Sequence, residues 1–323
     1  MIRIFIPDGG KLRETGAVSA ESVGSAIWID LLTPSRDEET LIETELGLAI
    51  PTREEMDEIE LSSRLYAEDD ALFMTAILPA QSDTDTPVLQ PVTFILRGAT
   101  LVTLRYHDPT PFRIFAQRAE RAHLGCVAGD SVLVGLLETV VDRLADILER
   151  CGGEIDRISL GVFESTSKPK KEVDLRATLK AIGRQGDLAS NIRNSVMTME
   201  RLLGFLGAGL PVQKGERDLR PRIKTLMRDL RSLADHSGFL SQKITFLLDA
   251  TLGLVNIEQN AIIKIFSVAA VVFLPPTLVA SIYGMNFAVM PELGWRLGYP
   301  FALGLMVLSA VMPFWYFKRR GWL

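Results

Sequence analysis

The sequence predicts an N-terminal cytoplasmic α/β domain, then a long stalk helix that runs into a two-helix transmembrane hairpin. Three observations predict it. Short apolar runs bounded by Gly, Pro or Asp fill the first 110 residues. A seven-residue apolar repeat starts near Ile223 and meets no proline before Pro275. Ile265 to Pro291 and Leu297 to Phe317 contain no charged residue, although 23% of the chain is charged.

The elements follow in order. "IRIFI", "AIWIDLL", "ALFMTAIL", "VTFIL" and "TLVTLRY" are short, β-branched and punctuated by turn residues, as strands are. Between the second and third, Ser35 with Glu38 three residues on forms a capping-box signature and predicts a helix. Residues 36–70 carry thirteen acids against three arginines, read for the most part as a solvated helix face. From about 113 to 205 the periodicity is helical. "VLVGLLETVVDRLADILERCGGEIDRISLGVF" predicts a long amphipathic helix, and "SKPKKEVDLRATL" breaks it into an antiparallel pair.

Ile223, Leu226, Leu230, Leu233, Leu240, Ile244, Leu247 and Leu254 alternate steps of three and four, with Ser237 and Thr251 in the remaining slots. That pattern marks one long helix packed along its length. The uncharged runs that follow each exceed the roughly 20 residues needed to cross a ~30 Å hydrocarbon core. Lys264 precedes the first span and Lys318, Arg319 and Arg320 follow the second, so both termini are expected in the cytoplasm. The expected division is a domain at 1–205, a stalk at 206–261 and a membrane region at 262–323. Its spans run from about 262 to 283 and 298 to 317, with a periplasmic loop at 284–297 and a basic tail at 318–323.

Composition excludes other classes. A net charge of −5, without zinc-knuckle, RNP-like or helix-turn-helix patterns, argues against nucleic acid as a partner. Cys126 and Cys151 suit a reducing compartment, and His107, His123 and His236 lack ligand spacing. The "MIRIFIPDGG" start is too short in apolar residues for a signal peptide. No Walker A sequence is present, and the pair His107–Asp108 has no nucleophile with it, so neither an enzyme nor an organic cofactor is expected.

A second register on the long helix carries the functional signal. Asp249, Gly253, Asn256, Asn260, Ile263, Ser267, Ala270, Leu274, Thr277 and Ser281 share one face, polar or small at most positions, through a segment otherwise rich in Phe, Val, Ile and Leu. Polar side chains at membrane depth normally turn toward protein or water. Small residues also serve close helix packing, but packing gives no role to two asparagines one turn apart and an aspartate in line. Two spans cannot enclose a path, whereas a symmetric oligomer makes each of these residues a ring. Ile263 and Leu274 then become apolar constrictions able to gate by dewetting. Oxygen donors without a Cys, His or Met cluster suit a hard cation such as Mg²⁺ in its water shell.

At "YGMNF" (Tyr283–Phe287), followed by "MPEL" and by a second span ending "YFKRRGWL", the chain resembles the CorA magnesium transporters, the enterobacterial branch in particular. The resemblance is specific from about Leu226 to Leu323 and otherwise one of layout. It implies a homopentameric funnel in the bacterial inner membrane that carries Mg²⁺, and often Co²⁺ or Ni²⁺, inward. Gly284, Met285 and Asn286 match the family's outer-mouth selectivity motif. Asn260 and Thr277 match polar pore rings, Asp249 the acid at the cytoplasmic end, and Ile263 with Phe266 the hydrophobic gate. Glu292 matches a loop acid that gathers cations. The family closes when Mg²⁺ fills sites between cytoplasmic domains, for which Asp229, Asp83 and Asp85 are the candidates here. A zinc transporter of the ZntB type is the alternative within the class, and a membrane-anchored oligomeric receptor the alternative outside it.

Overall fold

A mixed seven-stranded sheet, ordered β2-β1-β3-β7-β6-β5-β4, organises the N-terminal region of the computed structural model. The structure describes residues 1–16, 18–84, 87–164, 174–210, 218–286 and 290–322, and only the backbone of Leu61, Glu292 and Leu293. The chain divides into two compact units, Met1–Leu248 and Asp249–Leu323.

In chain order the first unit holds β1 (Ile2–Asp8), β2 (Lys11–Glu14), α1 (Ala20–Gly24), β3 (Trp28–Leu32), α2 (Arg36–Leu46), α3 (Arg53–Asp57), α4 (Leu61–Arg64), β4 (Leu65–Glu68), β5 (Ala71–Ala80), β6 (Val88–Arg97) and β7 (Thr100–Arg105). Helices α5 (Thr110–Arg121), α6 (Gly129–Glu164) and α7 (Leu175–Gly209) follow. The next helix, α8 (Arg220–Tyr283), belongs to both units, and α9 (Gly298–Arg319) completes the second.

All five sequence-predicted strands form, and so does the capping box. Glu38 N–H donates to Ser35 Oγ, while Ser35 N–H donates to the Glu38 carboxylate at 2.8 Å. Strands β2 and β4 were not expected. Both are four-residue edge strands, KLRE and LYAE, with too few apolar residues to leave a period-2 signal. Their turns explain them. Gly9 and Gly10 both have positive φ, the requirement of a type I′ hairpin, and a Cβ at Gly10 would meet His123 Nδ1 at 2.4 Å. Asp69 and Asp70 also have positive φ between β4 and β5, so these two acids sit in a hairpin turn and not on a helix face.

Alternation along each strand sends side chains to two cores. Phe5, Trp28, Met74, Val92, Phe94 and Leu101 pack toward α5–α8, whereas Ile4, Ile29, Leu31, Phe73, Ile95 and Val102 pack into the opposite core with Val23, Ile42 and Met56. Covered on both faces, the central strands read as continuous apolar runs. One buried ionic cluster crosses the parallel β3–β7 pair. Asp30 accepts from Arg105 Nε at 3.0 Å, Arg105 Nη2 at 2.9 Å and Thr103 Oγ1 at 2.8 Å. Burial disfavours the Arg105 charge, but its bonds to Asp30 and Asp108 outweigh that and raise its pKa.

The helical repeat is realised on α8. Ile223, Leu226, Leu230, Leu240 and Leu247 are buried, and so are the polar slots Ser237 and Thr251. Ser237 Oγ donates to Ala189 O on α7, which satisfies the hydroxyl at a core position. The break between α6 and α7 falls largely on 165–173, outside the described residues.

Candidate functional site

From Lys264 to Tyr283, α8 rises about 29 Å at 1.5 Å per residue, close to the hydrocarbon thickness of a bilayer. Helix α9 is 22 residues long and likewise apolar enough to span. Both helices leave large apolar side chains uncovered. Phe266, Phe273, Leu274 and Leu278 are all more than 60% exposed, as is Val307 on α9. In water such surface is unfavourable by roughly 25 cal/mol per Å²; in lipid it is matched.

Each helix has one shielded stripe. On α9 it is Gly298, Ala302, Met306, Ser309, Ala310, Pro313 and Phe317, with small residues at 298, 302, 309 and 310, as in close membrane packing. On α8 it is Val268, Val272, Pro275, Pro276, Val279 and Tyr283. At 100° per residue, the sequence-predicted stripe of Ile263, Ser267, Ala270, Leu274, Thr277 and Ser281 centres about 190° from that shielded face. Within its own unit, then, the polar stripe turns directly away from the surface this chain covers.

Every member of the stripe from Asp249 to Ser281 is exposed except the half-buried Gly253, and Phe266 is 71% exposed beside it. Thr277 Oγ1 donates to Phe273 O at 2.7 Å, which leaves its lone pairs facing outward. Pro275 and Pro276 remove the N–H groups that would bond the carbonyls of Val271 and Val272, yet α8 continues through them.

At the end of α8, Gly284 N–H donates to Ala280 O at 2.9 Å and Met285 N–H to Ile282 O. Gly284 follows the last helical residue, Tyr283, in a turn without positive φ. A Cβ at Gly284 would meet Ala280 O at 3.1 Å, so the glycine fits a tight last turn beside the exposed Met285 and Asn286. Glu292 has its backbone in a 3-10 turn, Pro291–Gly294, and its side chain lies outside the described residues.

The cytoplasmic acids are differently placed. Asp85 lies outside the described residues. Asp83 is engaged by two arginines of α6, Arg143 at 2.7 Å and Arg150. The hydrogen bond from Arg150 is the main cause holding its carboxyl below the ordinary range. Those partners, sixty and more residues away, leave no trace in local sequence. Asp229 on α8 is exposed, with Asp142 of α6 in its electrostatic field. Burial first, then the charges of Asp146, Glu138 and Asp229 raise the Asp142 pKa against Arg118. Among the described residues no three Asp, Glu, His or Cys side chains converge as a metal site.

The family model described as CorA-like Mg²⁺ transporter protein matches residues 23–319. The chain is 37% identical to the magnesium transport protein CorA of Pasteurella multocida and 35% identical to that of Escherichia coli K12, each over the whole of both chains. Among solved structures, the complete CorA magnesium transporter of Methanocaldococcus jannaschii aligns with a TM-score of 0.76 at 19% identity, covering 100% of this chain and 99% of that one. The ZntB cytoplasmic domain of Vibrio parahaemolyticus aligns over 79% of this chain with a TM-score of 0.55, a likeness of fold alone.

Proposed function

Because the chain belongs to the CorA-like Mg²⁺ transporter family, we propose that it forms a homopentamer in the inner membrane and admits Mg²⁺ through a path lined by the α8 stripe. The family consists of transporters and not enzymes, and two apolar helices make this member a membrane protein. The observation that supports the proposal is the opposition of faces on α8: Val268, Val272 and Val279 are shielded, whereas Ser267, Thr277 and Ser281 lie on the opposite, exposed face.

In a ring, Gly284, Met285 and Asn286 form the outer mouth, where the Asn286 carboxamide hydrogen-bonds a hydrated cation without stripping its waters. Glu292 raises the local cation concentration. Below, Ser281, Thr277, Ala270, Ser267, Asn260 and Asn256 offer small or oxygen-bearing walls, and Asp249 marks the cytoplasmic exit. Leu274, Phe266 and Ile263 form the apolar constrictions that close by dewetting. Both termini face the cytoplasm by the positive-inside bias. The membrane potential then drives a dication inward by about 4.6 kcal/mol per 100 mV. Co²⁺ and Ni²⁺, similar hard-to-borderline hydrated dications, follow the same route.

Closure is assigned to Mg²⁺ held between neighbouring cytoplasmic domains by Asp229 with Asp83 and Asp85. Asp229 is one of several acids near Asp142, whose pKa is raised chiefly by burial, and a bridging dication would offset their mutual repulsion. A ligand set within one protomer is lacking among the described residues, so such a site needs a second copy. Asp83 must leave Arg143 and Arg150 to take part.

The test is uptake into proteoliposomes with Mg²⁺, Co²⁺, Ni²⁺ and Zn²⁺ side by side. Mg²⁺ flux that Asn286→Ala abolishes without loss of the oligomer supports the reading. Zn²⁺ carried in preference to Mg²⁺, or wild-type flux in Asn286→Ala, overturns it.

A further inference from the structure

Where α9 ends, the chain closes in a cap that folds its last residues back onto the helix. Gly321 has φ +70, its N–H donates to Lys318 O at 3.2 Å, and Trp322 N–H reaches back to Phe317 O at 3.1 Å, a Schellman closure. This returns the Trp322 ring onto Phe317, with centroids 5.2 Å apart. It also places Lys264 Nζ, on α8, 5.9 Å from the centroid of the Trp322 ring. Phe317 meets Tyr316 edge-on at 5.6 Å, Arg320 lies over Tyr316 at 5.4 Å, and Arg319 lies over Trp315 at 4.9 Å. One aromatic ladder therefore links cations from the start of the first span to cations at the end of the second.

Lys264, Lys318, Arg319 and Arg320 are all exposed, and among the described residues none has an acidic partner. The nearest acid along α8, Glu258, precedes Lys264 by six residues, about 9 Å of helix rise. The positive-inside bias accounts for basic residues after the second span. It does not account for a tryptophan set beside Lys264 or for two guanidinium groups held over ring faces. Stacked guanidinium groups retain the planar donor fork that suits phosphate. Trp315, Tyr316 and Trp322 are 59%, 52% and 42% exposed, the placement of amphipathic rings at headgroup depth.

We infer that Lys264, Lys318, Arg319 and Arg320, framed by Trp315, Tyr316 and Trp322, bind the phosphate of an anionic lipid headgroup at this membrane boundary. The inference rests on the reading of α8 and α9 as membrane-spanning. Lipid is favoured over free phosphate because exposed rings flank the cations at the end of an apolar span, where a headgroup is fixed at the depth of the site.

The full chain, carrying Trp295→Phe to remove the other membrane-unit tryptophan, is reconstituted in phosphatidylcholine nanodiscs. Tryptophan quenching is then titrated with dibromo-phosphatidylglycerol and with dibromo-phosphatidylcholine. The inference expects the anionic lipid to quench at least about tenfold more effectively, from roughly a factor of five per basic residue near an anionic surface. Lys318→Gln/Arg319→Gln/Arg320→Gln should remove the preference. Since that variant alters the charges that orient the hairpin, Lys264→Gln/Arg320→Gln, which keeps Lys318 and Arg319, should reduce it part of the way. Equal quenching by both lipids, or a preference that survives both variants, overturns the inference while leaving the membrane reading intact. No quenching by either lipid would instead sink the membrane reading. Millimolar inorganic phosphate should leave the preference unchanged, and competition by it would reassign the site to a soluble anion.

Discussion

The α/β sheet and the membrane hairpin use the same apolar residue types and treat them in opposite ways. Trp28, Phe5 and Phe94 are fully buried, and Trp28 Nε1–H still finds Thr103 Oγ1 at 3.1 Å. Phe266 and Phe273 on α8 are 71% and 70% exposed. The sheet buries its large side chains on both faces and pairs the buried Asp30 with Arg105, so its core is complete within one chain. The hairpin leaves both its apolar faces and its polar stripe exposed, which is why the proposed path assigns lipid to some faces and further copies to another.

That contrast can be broken where it is strongest. Asp30→Ala removes the buried partner of Arg105, leaves it only the half-exposed Asp108, and should destabilise the sheet unit by about 3 kcal/mol. The measurement is urea unfolding followed by Trp28 fluorescence, and an unchanged midpoint would mean that the pair is dispensable. On the hairpin the opposite pattern is expected. Ser267→Val should shift stability by less than about 0.5 kcal/mol yet lower Mg²⁺ uptake severalfold. Loss of folding without a selective loss of flux would make the stripe a packing surface. Leu274→Asn should raise flux at high internal Mg²⁺, because a wet constriction cannot dewet.

The smallest effect concerns Asp83. Its pKa is depressed in the folded protein, so its contribution to stability is present above the ordinary carboxylate range and fades as pH falls through the lowered value. Asp83→Asn should flatten that acid limb of the thermal-melting profile slightly. A wild-type profile would show that the arginine contacts contribute nothing in solution.

Legibility in the sequence followed the same divide. Periodicity reports what a residue does relative to its own element, so the heptad that became the buried face of α8 was plain, including Ser237 and Thr251. The capping box at Ser35 was plain for the same reason. Edge strands β2 and β4 were missed because pairing on one side asks little of side chains. The Asp30–Arg105 pair and the arginine clamp on Asp83 join residues tens of positions apart, and no local pattern encodes either. The stripe itself was visible, but only the shielded face of α8 shows which way it turns.

That opposition of faces is tested most directly by cysteine substitution. Cys126 and Cys151 are buried, and burial pushes both thiols up to about 11, so the native background is unreactive. Cysteines placed one at a time at 267, 270, 274, 277 and 281, and at 268, 272 and 279, are exposed to a charged, water-soluble thiol reagent in proteoliposomes while Mg²⁺ uptake is recorded. The account predicts modification and block at the first group and neither at the second. Equal reactivity of the two groups, or block confined to the second, would contradict it.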